Sequence, residues 1–293
     1  MTRVLLTGAA GQLGQALQAT APAHLEVIAA DRSRLDVTSA AAVDAACAEV
    51  TPVIVINAAA WTDVDGAQER ADAAFAVNRD GAANVARAAR DCGAWLLHLS
   101  TDYVFDGTST GPYHPEQSPR PLGTYGESKL AGERMVRVLL PRRSLVLRTA
   151  WLYGPTGSNF VLTMLRLMRA GQPLRVVADQ VGTPTSTHSL AAAIWQLCTG
   201  LDAEDHTGIG HYTDAGVASW YDFAIAVQEE AVALGLLGTP VSITPVATVD
   251  YPTLAPRPSW SVLDSREVWA QLAQPPPHWR VALRAVLEAI ARG

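Results

Sequence analysis

Two rhythms of apolar residues alternate along the first half of the chain. Short, nearly uninterrupted apolar runs occupy residues 3–7, 26–30, 52–57, 95–99 and 144–149. Continuous runs of this length read as strands of a parallel sheet covered on both faces. Between them the spacing lengthens to that of helices. Leu13 and Leu17, with Ala16 and Ala19, begin one helix. Thr38 and Ser39 cap an alanine-rich second one. A long helix is expected from about residue 68 to 91, and another from 125 to 139. The order β-α-β-α-β-α-β-α-β predicts a doubly wound parallel sheet of α/β class over residues 1–150. After Thr149 the segments shorten, and Pro155, Pro173, Pro184, Pro240, Pro245, Pro252, Pro256 and Pro258 fall among aromatics. Residues 151–293 therefore read as a smaller mixed domain for substrate, with some segments returning to pack on the first. Helices near residues 220–234 and 279–291 read as ordinary packing helices.

The first strand ends in Gly8-Ala9-Ala10-Gly11-Gln12-Leu13-Gly14, directly before a helix. Glycines let the backbone turn tightly and approach a pyrophosphate, whose charge a helix N-terminus favours. A tight turn without ligand has the same pattern, but the strand-turn-helix setting points to a dinucleotide. The second strand runs into Asp31, which can accept hydrogen bonds from an adenosine ribose and suits NAD. Arg32 and Arg34 follow, and could hold the 2′-phosphate of NADP. These signals conflict, and both cofactors are expected to work, NADPH modestly better. Asp36-Val37 sits where this fold class keeps the adenine. Ala58-Ala59-Ala60 leave room at the end of strand three for a ligand, or for tight helix packing. Asn78, inside the long helix, is read as holding a neighbouring strand by its amide.

A hydroxyl pair, Ser100-Thr101, ends the fourth run. Tyr125 and Lys129 follow, one helical turn apart and so on one face. A cation beside a phenol favours the phenolate. Lowering a tyrosine by ~3 pH units from its usual value near ~10 takes ~4 kcal/mol. Such a phenol could exchange a proton near neutrality. The Tyr-x-x-x-Lys spacing also arises by chance on helix surfaces. The sheet topology changes that, because it brings Thr101 and Tyr125 to the edge where the glycine turn lies.

Of the 293 residues, 49% are hydrophobic and 17% charged, which fits a well-buried globular core. The net charge of −6 argues against nucleic acid as a partner. Cys47, Cys92 and Cys198 have neither disulfide nor metal-ligand spacing and read as small apolar residues. The seven histidines form no His-Glu-x-x-His motif, so no metal catalyst is expected. With a strand starting at residue 3 and no run long enough to span a bilayer, a soluble cytoplasmic protein is expected.

The glycine turn, Asn57-Ala58-Ala59-Ala60 and the Ser100-Thr101 to Tyr125-x-x-x-Lys129 constellation resemble the extended short-chain dehydrogenase/reductases, which are Rossmann-like. Further motifs narrow the resemblance. They are Leu99-Ser100-Thr101-Asp102-Tyr103-Val104-Phe105-Asp106-Gly107, Tyr125-Gly126-Glu127-Ser128-Lys129-Leu130-Ala131-Gly132-Glu133, Leu147-Arg148-Thr149-Ala150-Trp151-Leu152-Tyr153-Gly154, Asp179-Gln180-Val181-Gly182-Thr183-Pro184-Thr185 and Arg257-Pro258. Spanning nearly the whole chain, they look like the dTDP-4-dehydrorhamnose reductase family.

That resemblance implies hydride transfer from NAD(P)H to C4 of dTDP-4-dehydro-6-deoxy-L-mannose, giving dTDP-L-rhamnose. It implies Tyr125 as proton donor, Lys129 on the nicotinamide ribose, and Thr101 on the carbonyl. It places Gly8, Gly11, Gln12, Leu13, Gly14, Asp31, Arg32, Asp36, Val37, Ala60, Trp61, Thr62 and Leu99 at the cofactor. It places Thr101, Asp102 and Trp151 at the sugar. Asn159 and Arg257 are candidates for the base edge and pyrophosphate of the dTDP-sugar, with a surface salt bridge the alternative for Arg257. Some family members are thought to dimerise through magnesium held by a glutamate of the first helix. Here that helix has no carboxylate, so no metal is expected, and a monomer or weak homodimer is. A reductase of another dTDP-4-keto-6-deoxy sugar is a second reading. A non-catalytic NADP-binding regulatory subunit, of the kind that accompanies methionine adenosyltransferase, is a third.

Overall fold

The computed structural model describes residues 2–199 and 207–292. In chain order its main elements are β1 (Thr2–Thr7), α1 (Gln12–Ala19), β2 (Leu25–Ala30), α2 (Ala40–Val50), β3 (Ile54–Asn57), α3 (Val64–Glu69), α4 (Ala71–Phe75), a π turn (Ala76–Gly81) and α5 (Ala82–Asp91). Next come β4 (Trp95–Thr101), α6 (Thr124–Leu139), β5 (Ser144–Thr149), β6 (Leu152–Tyr153), α7 (Phe160–Arg169), β7 (Leu174–Val177), β8 (Val181–Gly182), β9 (Thr185–Ser186) and α8 (Thr187–Thr199). The chain closes with β10 (Gly208–His211), β11 (Ala218–Ser219), α9 (Trp220–Ala233), β12 (Ile243–Val246), α10 (Arg266–Trp269) and α11 (Trp279–Arg292).

The main sheet has six strands in the order β10-β5-β4-β3-β1-β2, every pair parallel. Strand order reverses between β1 and β3. In open α/β sheets the crevice beyond such a reversal is where ligands bind. One face of the sheet packs on α1 and α8 through Leu13, Leu17, Leu190, Ile194 and Trp195. The other packs on α2, α5 and α6 through Val43, Val85 and Val136. A separate core of α7, α9 and α11 is built on Met164, Leu165, Phe223, Val227 and Leu283.

Three local expectations change. The sheet gains a sixth strand, β10, from the second half of the chain. Its sequence, Gly208-Ile209-Gly210-His211, has one large apolar side chain and no readable run; it exists because β5 offers it a parallel edge. The long helix is interrupted at Arg70, whose backbone leaves the helical region (φ −126°, ψ 55°), and again by the π turn. Asn78 lies in that turn and grips a loop and a helix rather than a strand. Its Oδ1 accepts from the Trp61 N–H at 2.9 Å, while Nδ2 donates to the Trp61 carbonyl at 3.1 Å and to Ser128 Oγ at 2.9 Å. The π turn, which inserts one extra residue into the helical repeat, aims the amide at both.

Candidate active site

The glycine turn closes the β1 edge of the crevice. Gly8 has φ +69°, and a Cβ there would lie 2.6 Å from the backbone of Ala58 and Ala59. A Cβ on Gly14 would lie 2.4 Å from the Gly8 carbonyl oxygen. Only glycine fits either place, so the turn folds flat against the end of β3 and α1 starts beside it. Gly11 is the N-cap of α1, with no side-chain cap and no acid in the first turn. The helix therefore presents free backbone N–H groups, suited to an anion.

Beyond this turn lies a cleft of about 580 Å³, lined by Gly11, Gln12, Leu13, Thr62, Leu99, Thr101, Asp102, Tyr125, Lys129 and Trp151 among others. A pocket of about 240 Å³ adjoins it through Ala10, Gly11, Ala58 and Ala60, and extends to Gly8, Arg32, Asp36, Val37 and Trp61. Most of the residues singled out in the sequence thus meet on one continuous surface. Its size, its glycine cradle and its uncapped helix suit an extended dinucleotide.

At the centre, β4 ends at Thr101, as expected from the sequence. The Thr101 hydroxyl donates to Asp102 Oδ1 at 3.0 Å and shares a hydrogen bond with the Tyr125 phenol. Lys129, buried in α6, donates from Nζ to the Leu99 carbonyl at 2.7 Å. Burial lowers its pKa to about 8, while Glu133, one turn on, opposes that. The phenol moves opposite to expectation. Burial pushes Tyr125 up to about 12, against the Thr101 hydrogen bond, and the Asp102 charge adds to the rise. Desolvation outweighs a cation that is turned toward a strand carbonyl. Asp102 is itself buried, and desolvation pushes it up to about 6 against hydrogen bonds from Ser261 and Thr101.

Across the cleft stands an aromatic wall. Trp151 has a positive φ of 46° and stacks on Trp220. Gly182 backs it, since a Cβ there would meet the Trp151 ring at 2.5 Å. Trp220 opens α9 and was read from sequence as ordinary packing. Its signal is the capping box before it: Ser219 Oγ accepts from the Asp222 N–H and the Asp222 carboxylate accepts from Ser219, which fixes where the helix starts. Leu152 and Ser158 also line the cleft and were not singled out.

Some candidates are engaged elsewhere. Asp31 Oδ1 accepts from the Ser33 N–H and hydroxyl and from the Arg34 N–H. Arg34 donates to the Ala29 carbonyl, whereas Arg32 is exposed and makes only a 3.8 Å pairing with Asp36. Asn159 caps α7, and its amide holds the Gly154 and Thr156 carbonyls. Gln12 Nε2 donates to the Leu152 carbonyl, joining the two halves. Arg257 is held bidentate by Asp65 at 2.8 and 2.7 Å and lies outside the cleft lining.

Known proteins share the sequence and the fold of this chain. The family model "RmlD substrate binding domain" matches residues 1–292. A dTDP-4-dehydrorhamnose reductase of Aggregatibacter actinomycetemcomitans is 41% identical over 98% of both chains. A dTDP-4-keto-6-deoxy-D-glucose reductase of Streptomyces niveus is 40% identical over 96% of this chain and 95% of its own. The crystal structure of dTDP-4-dehydrorhamnose reductase from Bacillus anthracis in complex with NADP superposes with a TM-score of 0.91. It covers 99% of this chain and 100% of its own, at 36% identity. With the matching fold, the Thr101–Tyr125–Lys129 cleft and a family match along nearly its full length, the chain belongs to the RmlD substrate-binding-domain family.

Proposed function

We propose that this protein reduces the C4 ketone of dTDP-4-dehydro-6-deoxy-L-mannose to give dTDP-L-rhamnose, using NADPH and, less well, NADH. The observation that carries this reading is the convergence of Thr101, Tyr125 and Lys129 on one cleft between the glycine turn and the Trp151 wall. When bound, the nicotinamide supplies the hydride. Tyr125, which keeps its proton at neutral pH, donates it to the oxygen that becomes an alkoxide. Thr101 hydrogen-bonds the same oxygen and stabilises charge as it develops. The Lys129 ammonium holds the nicotinamide ribose and lends positive potential to the phenol as it loses its proton. Gly8, Gly11, Gln12, Leu13 and Gly14 cradle the pyrophosphate, and Ala60, Trp61, Thr62 and Leu99 line its path. Asp31, Arg32, Asp36 and Val37 surround the adenosine.

Asp102, a buried carboxyl on the cleft lining, accepts from a sugar hydroxyl. Trp151 and Trp220 give the 6-deoxy edge an apolar face. Residues 151–293 hold the nucleotide half, with Asn159 and Arg257 at its base and pyrophosphate once they leave their present partners. A second reading, reduction of another dTDP-4-keto-6-deoxy sugar, is favoured by the similarity to the Streptomyces niveus reductase. A regulatory, non-catalytic role has no use for the three groups on the cleft. Among the described residues no helix is long and apolar enough to cross a membrane. We place the protein in the cytoplasm as a monomer or weak homodimer. The test is incubation with NADPH and the dTDP-4-keto sugar, with the product identified by NMR. dTDP-L-rhamnose is expected; turnover only of another dTDP-4-keto-6-deoxy sugar, such as dTDP-4-keto-6-deoxy-D-glucose, would support the second reading, and no NADPH consumption with either would overturn both.

A further inference from the structure

Outside the cleft lining, α6 and β5 bury an ion pair. Glu133 Oε1 accepts from Arg148 Nε at 2.8 Å, and Oε2 accepts from Nη2 at 2.7 Å. The two side chains are 2% and 1% exposed. Ser100 Oγ donates to Glu133 Oε1 at 2.5 Å, and Arg148 Nη1 also donates to the Pro115 carbonyl at 3.2 Å. Ser100 directly precedes Thr101 on β4, and Glu133 lies one turn after Lys129 on α6. The carboxylate thus contacts both elements that carry the reacting groups. A buried pair of this kind is a poor source of stability compared with apolar packing, so its presence asks for another reason.

Lys129 supplies that reason. It is the single lysine among 293 residues, and the amine stands in a buried site. The titratable groups around it are few. His98, on β4, is buried and kept neutral by desolvation and by the Lys129 charge. Tyr125 precedes it on α6. Arg148, on β5, is a further cation, and His211, on β10, contacts Arg148 at 3.3 Å and is held neutral. Asp102, just after β4, is a second buried carboxylate on the same cleft; Glu133 is the carboxylate one turn from Lys129 on α6, and it is paired with Arg148.

We propose that Glu133 is a positioning residue for the reduction: its carboxylate holds the Ser100–Thr101 strand end to α6 and sets a negative charge one helical turn from the buried Lys129 amine, which favours the ammonium. This rests on the proposed role of Lys129 in the reductase. Neutral Lys129 would leave the phenolate that forms at Tyr125 without a compensating positive charge.

A lone lysine makes the test direct. Protein labelled with 13C at lysine Cε carries one lysine side-chain signal, and its pH titration reads Lys129 without cofactor or substrate. Glu133→Gln leaves Arg148 unopposed and should move the Lys129 midpoint down by about one pH unit or more. Arg148→Met leaves Glu133 to Lys129 alone and should move it up. Opposite shifts distinguish charge from packing, since a merely structural role moves both variants the same way. Circular dichroism checks the fold of each, and if Glu133→Gln fails to fold, Arg148→Met still decides. In folded Glu133→Gln, the alkaline limb of the kcat profile with NADPH should move down with the midpoint. An unshifted Lys129 signal in either folded variant, or shifts of the same sign, would overturn the proposal. Failure of the reductase reading would appear separately, as absent turnover in the unmodified protein.

Discussion

The indoles of Trp151 and Trp220 lie parallel, their ring centroids 3.5 Å apart and their planes within 3°. One follows β5 in a left-handed backbone conformation and the other opens α9. The stack therefore joins the sheet to the second core on one wall of the cleft. Trp220→Ala removes the support and frees Trp151 to turn. We expect KM for the nucleotide-sugar to rise about tenfold, with the KM for NADPH unchanged. Steady-state kinetics with each substrate varied in turn checks this, and an unchanged sugar KM would remove Trp220 from the site.

Tyr125→Phe removes the acidic hydroxyl and almost no volume. Because burial holds the phenol up at about 12, wild-type Tyr125 is protonated throughout the neutral range and can act as an acid without first being charged. Its loss should lower kcat by at least about 100-fold while NADPH binding, followed by fluorescence titration, stays nearly constant. Near-normal turnover would show that another group donates the proton.

Cofactor choice should follow Arg32. Asp31 Oδ1 is engaged by Ser33 and Arg34, and Arg34 is tied to the Ala29 carbonyl. Arg32 is left exposed on the lining of the smaller pocket, beside Asp36 and Val37. Arg32→Ala should cut kcat/KM for NADPH about tenfold and leave NADH within a factor of about two. Equal losses with both cofactors would mean that Arg32 supports the loop rather than a 2′-phosphate.

The Asp65–Arg257 pair should leave a mark on acid stability. The Arg257 hydrogen bond holds the Asp65 carboxyl down at about 2. Its folded pKa thus lies below the unfolded value of about 3.9, so its stabilisation is complete above that value and is lost as pH falls through about 2. With Asp65 42% exposed, the contribution should stay under about 1 kcal/mol. Urea midpoints of wild type and Asp65→Asn should differ at about pH 5 and converge toward about pH 2. A gap that persists unchanged in acid would assign the effect to packing.

Chelation should change nothing. α1 has no acid in its first turn, and its sequence Gln12-Leu13-Gly14-Gln15-Ala16-Leu17-Gln18-Ala19 offers amides where magnesium prefers carboxylates. Activity and light-scattering mass should be equal with EDTA and with added magnesium. A dimer that dissociates on chelation and returns with the metal would show that acids elsewhere bind it.

Much of this protein was legible along the chain because its signals are local. A strand, a glycine turn and a helix follow one another within Thr2–Ala19, and a four-residue spacing puts Tyr125 and Lys129 on one face of any helix. What the tertiary structure decided are quantities that depend on what lies across space. β10 becomes a strand because β5 offers an edge, not because Gly208-Ile209-Gly210-His211 has a strand's pattern. Trp220 reaches the cleft because α9 starts beside Trp151, 69 positions earlier in sequence. Arg257 meets Asp65 over a separation of 192 residues. The phenol of Tyr125 rises rather than falls because burial, which no spacing encodes, exceeds the pull of a cation held by Leu99. Spacing sets which groups share a face; the surrounding fold sets their solvation and partners, and those decide their protonation.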